Sequence, residues 1–165
     1  MIVEHLEFLY SMQAHEAWEQ GANPFRASRA GHCIAAKARD KLGLKGEPLT
    51  PRRMAVFAHG NILHAALTAD LKIALGDKFM PPEDFGDLTV DIEGATVSFH
   101  PDGGYQLPDK RLAVVEIKSM ADFSFDRARE GNIDREYLCQ AWTYYFGTGF
   151  DLVVFIAYRK ETSHM

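Results

Sequence analysis

The chain has 165 residues, a net charge of −5, 47% hydrophobic and 25% charged residues. That length suits one domain with a substantial core, and no window approaches the ~18 consecutive apolar residues of a membrane span, so no membrane partner is expected. Two cysteines, Cys33 and Cys139, far apart and without C-x-x-C spacing, argue against a disulfide scaffold or a structural zinc site. Together with the lack of a secretory leader pattern they predict a cytoplasmic protein.

The acidic total hides an uneven distribution. Residues 24–53 carry eight Lys and Arg against Asp40 and Glu47, a local +6 that leaves −11 for the remainder. A basic segment on an acidic protein suits a phosphate-contacting face, and it equally suits a solvated helix face.

In chain order, residues 2–20 have apolar positions near helical spacing and predict an amphipathic helix broken at Asn23-Pro24. Ser28 is a good N-cap for a second helix over 29–42, stopped at Gly43. Arg26, Ser28 and Arg29 would then cluster at a helix N-terminus, which favours a phosphate; a plain cap with solvated arginines is the alternative. Thr50-Pro51 opens a long third helix ending near Gly76. Phe57, Gly60, His64, Leu67 and Leu71 fall on or near one stripe of it, so periodicity reads His64 as an inward-facing, hydrogen-bonded core residue.

Residues 80–87 predict a Pro-rich acidic loop, and Leu88–Ile92 and Ala95–His100 read as strands hinged at Glu93-Gly94. A turn at Pro108-Asp109 leads into Ala113-Val114-Val115-Glu116-Ile117-Lys118-Ser119. These three strands are expected as a meander. A short amphipathic stretch over 121–130, a helix over 134–147 and a buried strand over 151–158 follow, the last paired after a crossover. The helix carries Tyr137, Gln140, Ala141, Tyr144 and Tyr145 on one face. The order α-α-α-β-β-β-α-β predicts an α/β (α+β) domain over 1–165, a mixed central sheet flanked by helices.

The strand at 113–119 stands out. Period two sets Glu116 and Lys118 on one face and Val115 and Ile117 on the other. Charge inside a buried strand costs several kcal/mol unless it is paired or on a metal. Asp102, in His100-Pro101-Asp102-Gly103, ends the preceding strand run. Two carboxylates and a Lys on neighbouring strands suit a hard divalent cation; an ion pair beside an ordinary Asp turn is the alternative reading.

Five pieces in order, the Ser28-to-Cys33 helix start, Gly60-x-x-x-His64, His100-Pro101-Asp102-Gly103, Glu116-Ile117-Lys118-Ser119 and Gln140-x-x-x-Tyr144, make the chain resemble the RecB-like branch of the PD-(D/E)XK nucleases, with lambda-type phage exonucleases among its members. The resemblance implies a restriction-endonuclease-like core. It implies that His64, Asp102, Glu116 and the carbonyl of Ile117 ligate Mg²⁺ or Mn²⁺, and that Lys118 positions or activates the attacking water. Gln140 and Tyr144 would contact nucleic acid or hold Lys118. Family members with an iron–sulfur cluster use four cysteines, so with two present no cluster is expected and both are read as buried thiols.

The expected activity is metal-dependent DNA hydrolysis, of exonuclease type on linear DNA with 5′-phosphorylated ends, in a bacterial or phage-infected cell. A structure-specific or restriction-like endonuclease and a non-catalytic nucleic-acid-binding module are the alternatives, and an oligomer is compatible with either.

Overall fold

The computed structural model describes residues 2–20, 25–44 and 46–160. Helices α1 (Ile2–Gln20), α2 (Ile34–Lys41) and α3 (Pro51–Leu75) precede β1 (Phe79–Met80), β2 (Leu88–Ile92), β3 (Ala95–Phe99), β4 (Gly103–Gln106) and β5 (Leu112–Met120). Helices α4 (Asp122–Arg129) and α5 (Arg135–Thr148) lead to β6 (Leu152–Arg159). The chain is thus mixed α and β, with a mixed sheet flanked by helices. None of the described helices is long and apolar enough to cross a membrane. Contacts divide the chain into two compact units, Met1–Pro24 with His32–Leu63, and Phe25–Gly31 with His64–Met165.

The first unit is helical. Helix α1 spans the expected residues, and the Asn23-Pro24 break lies outside the described ones. Its expected apolar stripe is not covered: Ala14 is buried, whereas Leu6, Leu9 and Met12 are exposed. The second helix is shorter than its sequence suggests. Ser28 belongs to a separate 3-10 turn, Ala27–Arg29, and α2 starts after Cys33. The reason is Gly31, whose φ of +82° cannot continue a right-handed helix. Thr50 behaves as expected, its Oγ1 accepting the Arg53 N–H at 3.3 Å at the start of α3.

In the second unit the principal sheet runs β1-β4-β5-β6. Strands β4 and β5 are antiparallel, from Gly103 opposite Val115 to Gln106 opposite Leu112. Strands β5 and β6 are parallel from Ala113 opposite Leu152 to Met120 opposite Arg159, a pairing that needs the crossover through α4 and α5. The two faces of β5 pack differently. Val115 and Ile117 meet Leu67, Leu71 and Leu75 of α3 and Ile156 and Tyr158 of β6. Val114, on the other face, clusters with Phe99, Tyr144 and Ala27. Helix α5 comes so close to Phe99 that a Cβ at Gly147 would lie 2.3 Å from its ring, which explains the glycine.

The expected three-strand meander is not formed. Strands β2 and β3 make a two-stranded sheet of their own, closed by Glu93 and Gly94, both at positive φ. The outer edge of β4 is taken instead by β1, whose Phe79 has no assignment from the sequence and whose Met80 falls at the start of the expected loop. Gly103 and Gly104 allow that pairing, because a Cβ on either would press on Phe79, Met80 or Phe85 at 2.7–2.8 Å. Two finer assignments also change. Phe57 is exposed although it was placed on the inward stripe of α3, and Tyr145 is exposed with Trp142 and Phe146 on the outer face of α5.

Candidate functional site

Strand β5 carries the site because its register forces it. Glu116 and Lys118 share the face that Val114 uses for core packing, so both heads lie under α5 rather than in water. Glu116 is 2% exposed. Its Oε1 pairs with Lys118 Nζ, and its Oε2 is buried without a hydrogen-bond partner among the described residues. Burial, and after it the charge of Asp102, push the Glu116 carboxyl up to about 7; Lys118 acts in the opposite sense.

Asp102 reaches the same place from the turn before β4. Its N–H donates to the Val115 carbonyl at 3.1 Å, and its Oδ2 accepts the Ile117 N–H at 2.7 Å. The pairing of β4 stops at Gly103 opposite Val115, and Pro101, the next position opposite Ile117, has no N–H. The Asp102 side chain therefore substitutes for the missing strand. Because the N–H and C=O of one strand residue point to the same side, the Ile117 carbonyl also faces this edge.

His64, on the stripe of α3 that continues to Leu67, lies with Nδ1 3.3 Å from Asp102 Oδ1. That hydrogen bond raises its pKa, against the opposing effect of burial. The inward position read from sequence is correct, and its partner is the carboxylate of the candidate site.

From α5, Gln140 and Tyr144 face β5 one turn apart and are both buried. Lys118 Nζ donates to Gln140 Oε1 at 2.9 Å, Gln140 Nε2 donates to the Tyr144 oxygen at 2.6 Å, and the Tyr144 hydroxyl donates to the His100 carbonyl at 3.1 Å. The chain of bonds ties β5, α5 and the turn carrying Asp102 into one frame. Burial, and then the negative charge of Glu116, push the Tyr144 phenol above its ordinary pKa, so it stays a neutral donor. Two participants have no role assigned from the sequence: the His100 carbonyl, and Tyr137, whose ring centroid lies 5.1 Å from Lys118 Nζ and which the sequence places only on the face of Gln140 and Tyr144. The i, i+3, i+7 spacing of Tyr137, Gln140 and Tyr144 was the available signal.

His64, Asp102, Glu116, Ile117, Lys118, Gln140 and Tyr144 are thus brought together within the second unit. Among the described residues no three His, Cys, Asp and Glu side chains converge as a ready-made cation cage. The donor chemistry nonetheless suits a hard divalent ion, since Asp102 and Glu116 offer carboxylate oxygens near the His64 imidazole. Glu116 Oε2 is a buried carboxylate oxygen near the Tyr144 phenol, without a hydrogen bond of its own among the described residues. His64, Asp102, Glu116 and the Ile117 carbonyl are the residues that could hold such an ion.

The basic trio is placed differently from the sequence reading. Arg26, Ser28 and Arg29 do not cap α2. They belong to segment 25–31, where Arg26 bridges to Ser98 of β3, Ser98 N–H donates to the Phe25 carbonyl at 2.9 Å, and Ala27 is buried in the core. Arg26 and Ser28 are exposed and Arg29 is half-buried. Cys33, read as a buried thiol, is exposed at the start of α2, where the N–H groups of Ala36 and Ala35 hold it below its ordinary pKa. Cys139 is half-buried.

No protein-family model and no curated protein matches the chain. Among solved structures, one described as the crystal structure of SSO0001 is similar at 16% identity, over 95% of this chain and 73% of that one, with a TM-score of 0.46. A likeness of that extent bears on neither activity nor partners.

Proposed function

We propose that the chain is a divalent-metal-dependent deoxyribonuclease on a restriction-endonuclease-like core, of exonuclease type, and that the second unit carries its chemistry. The observation that supports this most is the meeting of Asp102, Glu116 and Lys118 beside His64, with one oxygen of a buried carboxylate unused. A purely structural ion pair has no use for that oxygen, and burying it costs free energy that better-packed apolar residues would avoid.

A Mg²⁺ or Mn²⁺ ion bound there supplies Lewis-acid stabilisation of the phosphate and acidifies a water. Lys118, tethered by Gln140, donates to the phosphate oxygens as charge develops and orients the attacking water. The Gln140–Tyr144–His100 bonds fix the position of that ammonium between β5 and α5. His64 and Asp102 hold one another in place, and the imidazole biases the donor set toward Mn²⁺. Arg26 and Arg29, carried on segment 25–31, contribute phosphate contact.

The test is incubation of end-labelled linear, nicked and covalently closed circular DNA with the protein in Mg²⁺, Mn²⁺ or EDTA. An exonuclease degrades linear DNA only with metal and leaves closed circles intact. Cutting of closed circles would identify an endonuclease. Binding without any hydrolysis would make the protein a nucleic-acid-binding module.

A further inference from the structure

We infer that Tyr137 is a positioning residue for Lys118, holding the ammonium through its ring in addition to the carboxylate partner; the inference rests on the nuclease reading only where it concerns turnover. The Lys118 Nζ lies 5.1 Å from the Tyr137 ring centroid, inside the range of a cation–π contact. Its other partners are Glu116 and Gln140 Oε1. Glu116 is the carboxylate that a bound cation also calls on, so a tether independent of Glu116 keeps the ammonium placed whichever partner the carboxylate serves.

The element supports this role. Tyr137 lies in the first turn of α5, its N–H donating to the Asp134 carbonyl at 3.0 Å. It is followed at i+3 and i+7 by Gln140 and Tyr144, so one stripe of α5 supplies the aromatic face, the amide acceptor and the phenol that holds the amide. Lys118 itself is partly buried, with 18% of its side chain exposed, and a ring over a partly desolvated ammonium is worth more than one in water. Tyr137 is half-buried and meets the ammonium with its ring rather than its hydroxyl, so the face of the ring carries the effect and Phe should replace it.

The experiment compares Tyr137→Phe and Tyr137→Leu with the wild-type chain, each first shown to melt cooperatively. In EDTA, the Lys118 Cε methylene protons, assigned with Lys118→Arg, are read by NMR for a ring-current upfield shift. The inference expects that shift in wild type and Tyr137→Phe and its loss in Tyr137→Leu. In Mn²⁺, on linear DNA, Tyr137→Leu should lower kcat roughly 3- to 30-fold with KM unchanged, the span a cation–π contact is worth, and Tyr137→Phe should restore it. Ordinary Lys118 shifts in wild type, or a KM effect with kcat intact, would overturn the inference. If wild type cuts no DNA in either metal the nuclease reading fails, while the NMR comparison still decides whether Tyr137 holds Lys118.

Discussion

The backbone N–H of Ile117 donates to Asp102 Oδ2 at 2.7 Å, so the carboxylate of a turn completes the ladder of the central strand where β4 has ended. One side chain thereby has two duties, closing the sheet edge and facing His64 with its other oxygen. Substitutions can separate them. Asp102→Ala should lose metal-dependent cleavage and also about 1–3 kcal/mol of stability, because it leaves the N–H of the buried Ile117 without its acceptor. Asp102→Asn keeps an oxygen for Ile117 and should melt near wild type while losing cleavage. Thermal melts paired with the linear-DNA assay check this, and wild-type cleavage by Asp102→Asn would remove Asp102 from the site.

Metal-free protein should lose stability as pH rises through neutrality. Burial lifts the Glu116 carboxyl from 4.5 to about 7 in the folded chain, so between those values the native state binds the extra proton and stability falls as pH increases. His64 acts in the same direction: its folded pKa is raised, and its contribution is present at low pH and lost as pH climbs through that value. The Glu116 part is at most about 3 kcal/mol. In EDTA the melting temperature should drop from pH 5 to pH 8, and Glu116→Gln should flatten the curve. A melting temperature that rises over that interval would show Glu116 to be ionised throughout.

His64→Ala should weaken Mn²⁺ binding more than it changes melting, because a side chain 34% exposed leaves little cavity when truncated. Titration calorimetry with Mn²⁺ reads the first quantity. Unchanged affinity would return His64 to a hydrogen-bonded histidine with no metal to hold.

Tyr144→Phe should act through its neighbours. It removes the donor to the His100 carbonyl and the acceptor of Gln140 Nε2, leaving buried polar groups without partners at about 1–3 kcal/mol. Cleavage should fall beyond the stability loss, since Gln140 then no longer fixes Lys118. Equal activity at a temperature where both proteins are folded would limit Tyr144 to packing.

Arg26→Ala should lower affinity for linear DNA and reduce the slope of log K against log salt by about one unit, the effect of one lost phosphate contact. Arg26 is exposed and held by its backbone bridge to Ser98, so the substitution leaves the core intact. An unchanged slope would leave the arginine as an ordinary surface charge. A larger loss for 5′-phosphorylated than for 5′-hydroxyl ends would mark the terminal phosphate as its target.

The sequence by itself determined those features that depend on near neighbours along the chain. The period of two in β5 set Glu116 and Lys118 on one face, the spacing of four set Gln140 beside Tyr144, Thr50-Pro51 started α3, and Glu93-Gly94 closed a hairpin. Packing between distant segments decided the rest. Phe79 and Met80 took the edge of β4 that a meander would have given to β3, a choice set by the missing side chains at Gly103 and Gly104. Gly31 separated Ser28 from α2 through its φ of +82°, and a Cβ there would meet the Glu136 backbone of α5 at 3.1 Å. His64 has a stripe position legible from periodicity, but its meeting with Asp102, 38 residues away, exists only because α3 and β5 pack through Leu67, Val115 and Ile117. Burial of Glu116, and with it the raised pKa, is likewise a property of α5 lying over β5, which no local pattern encodes.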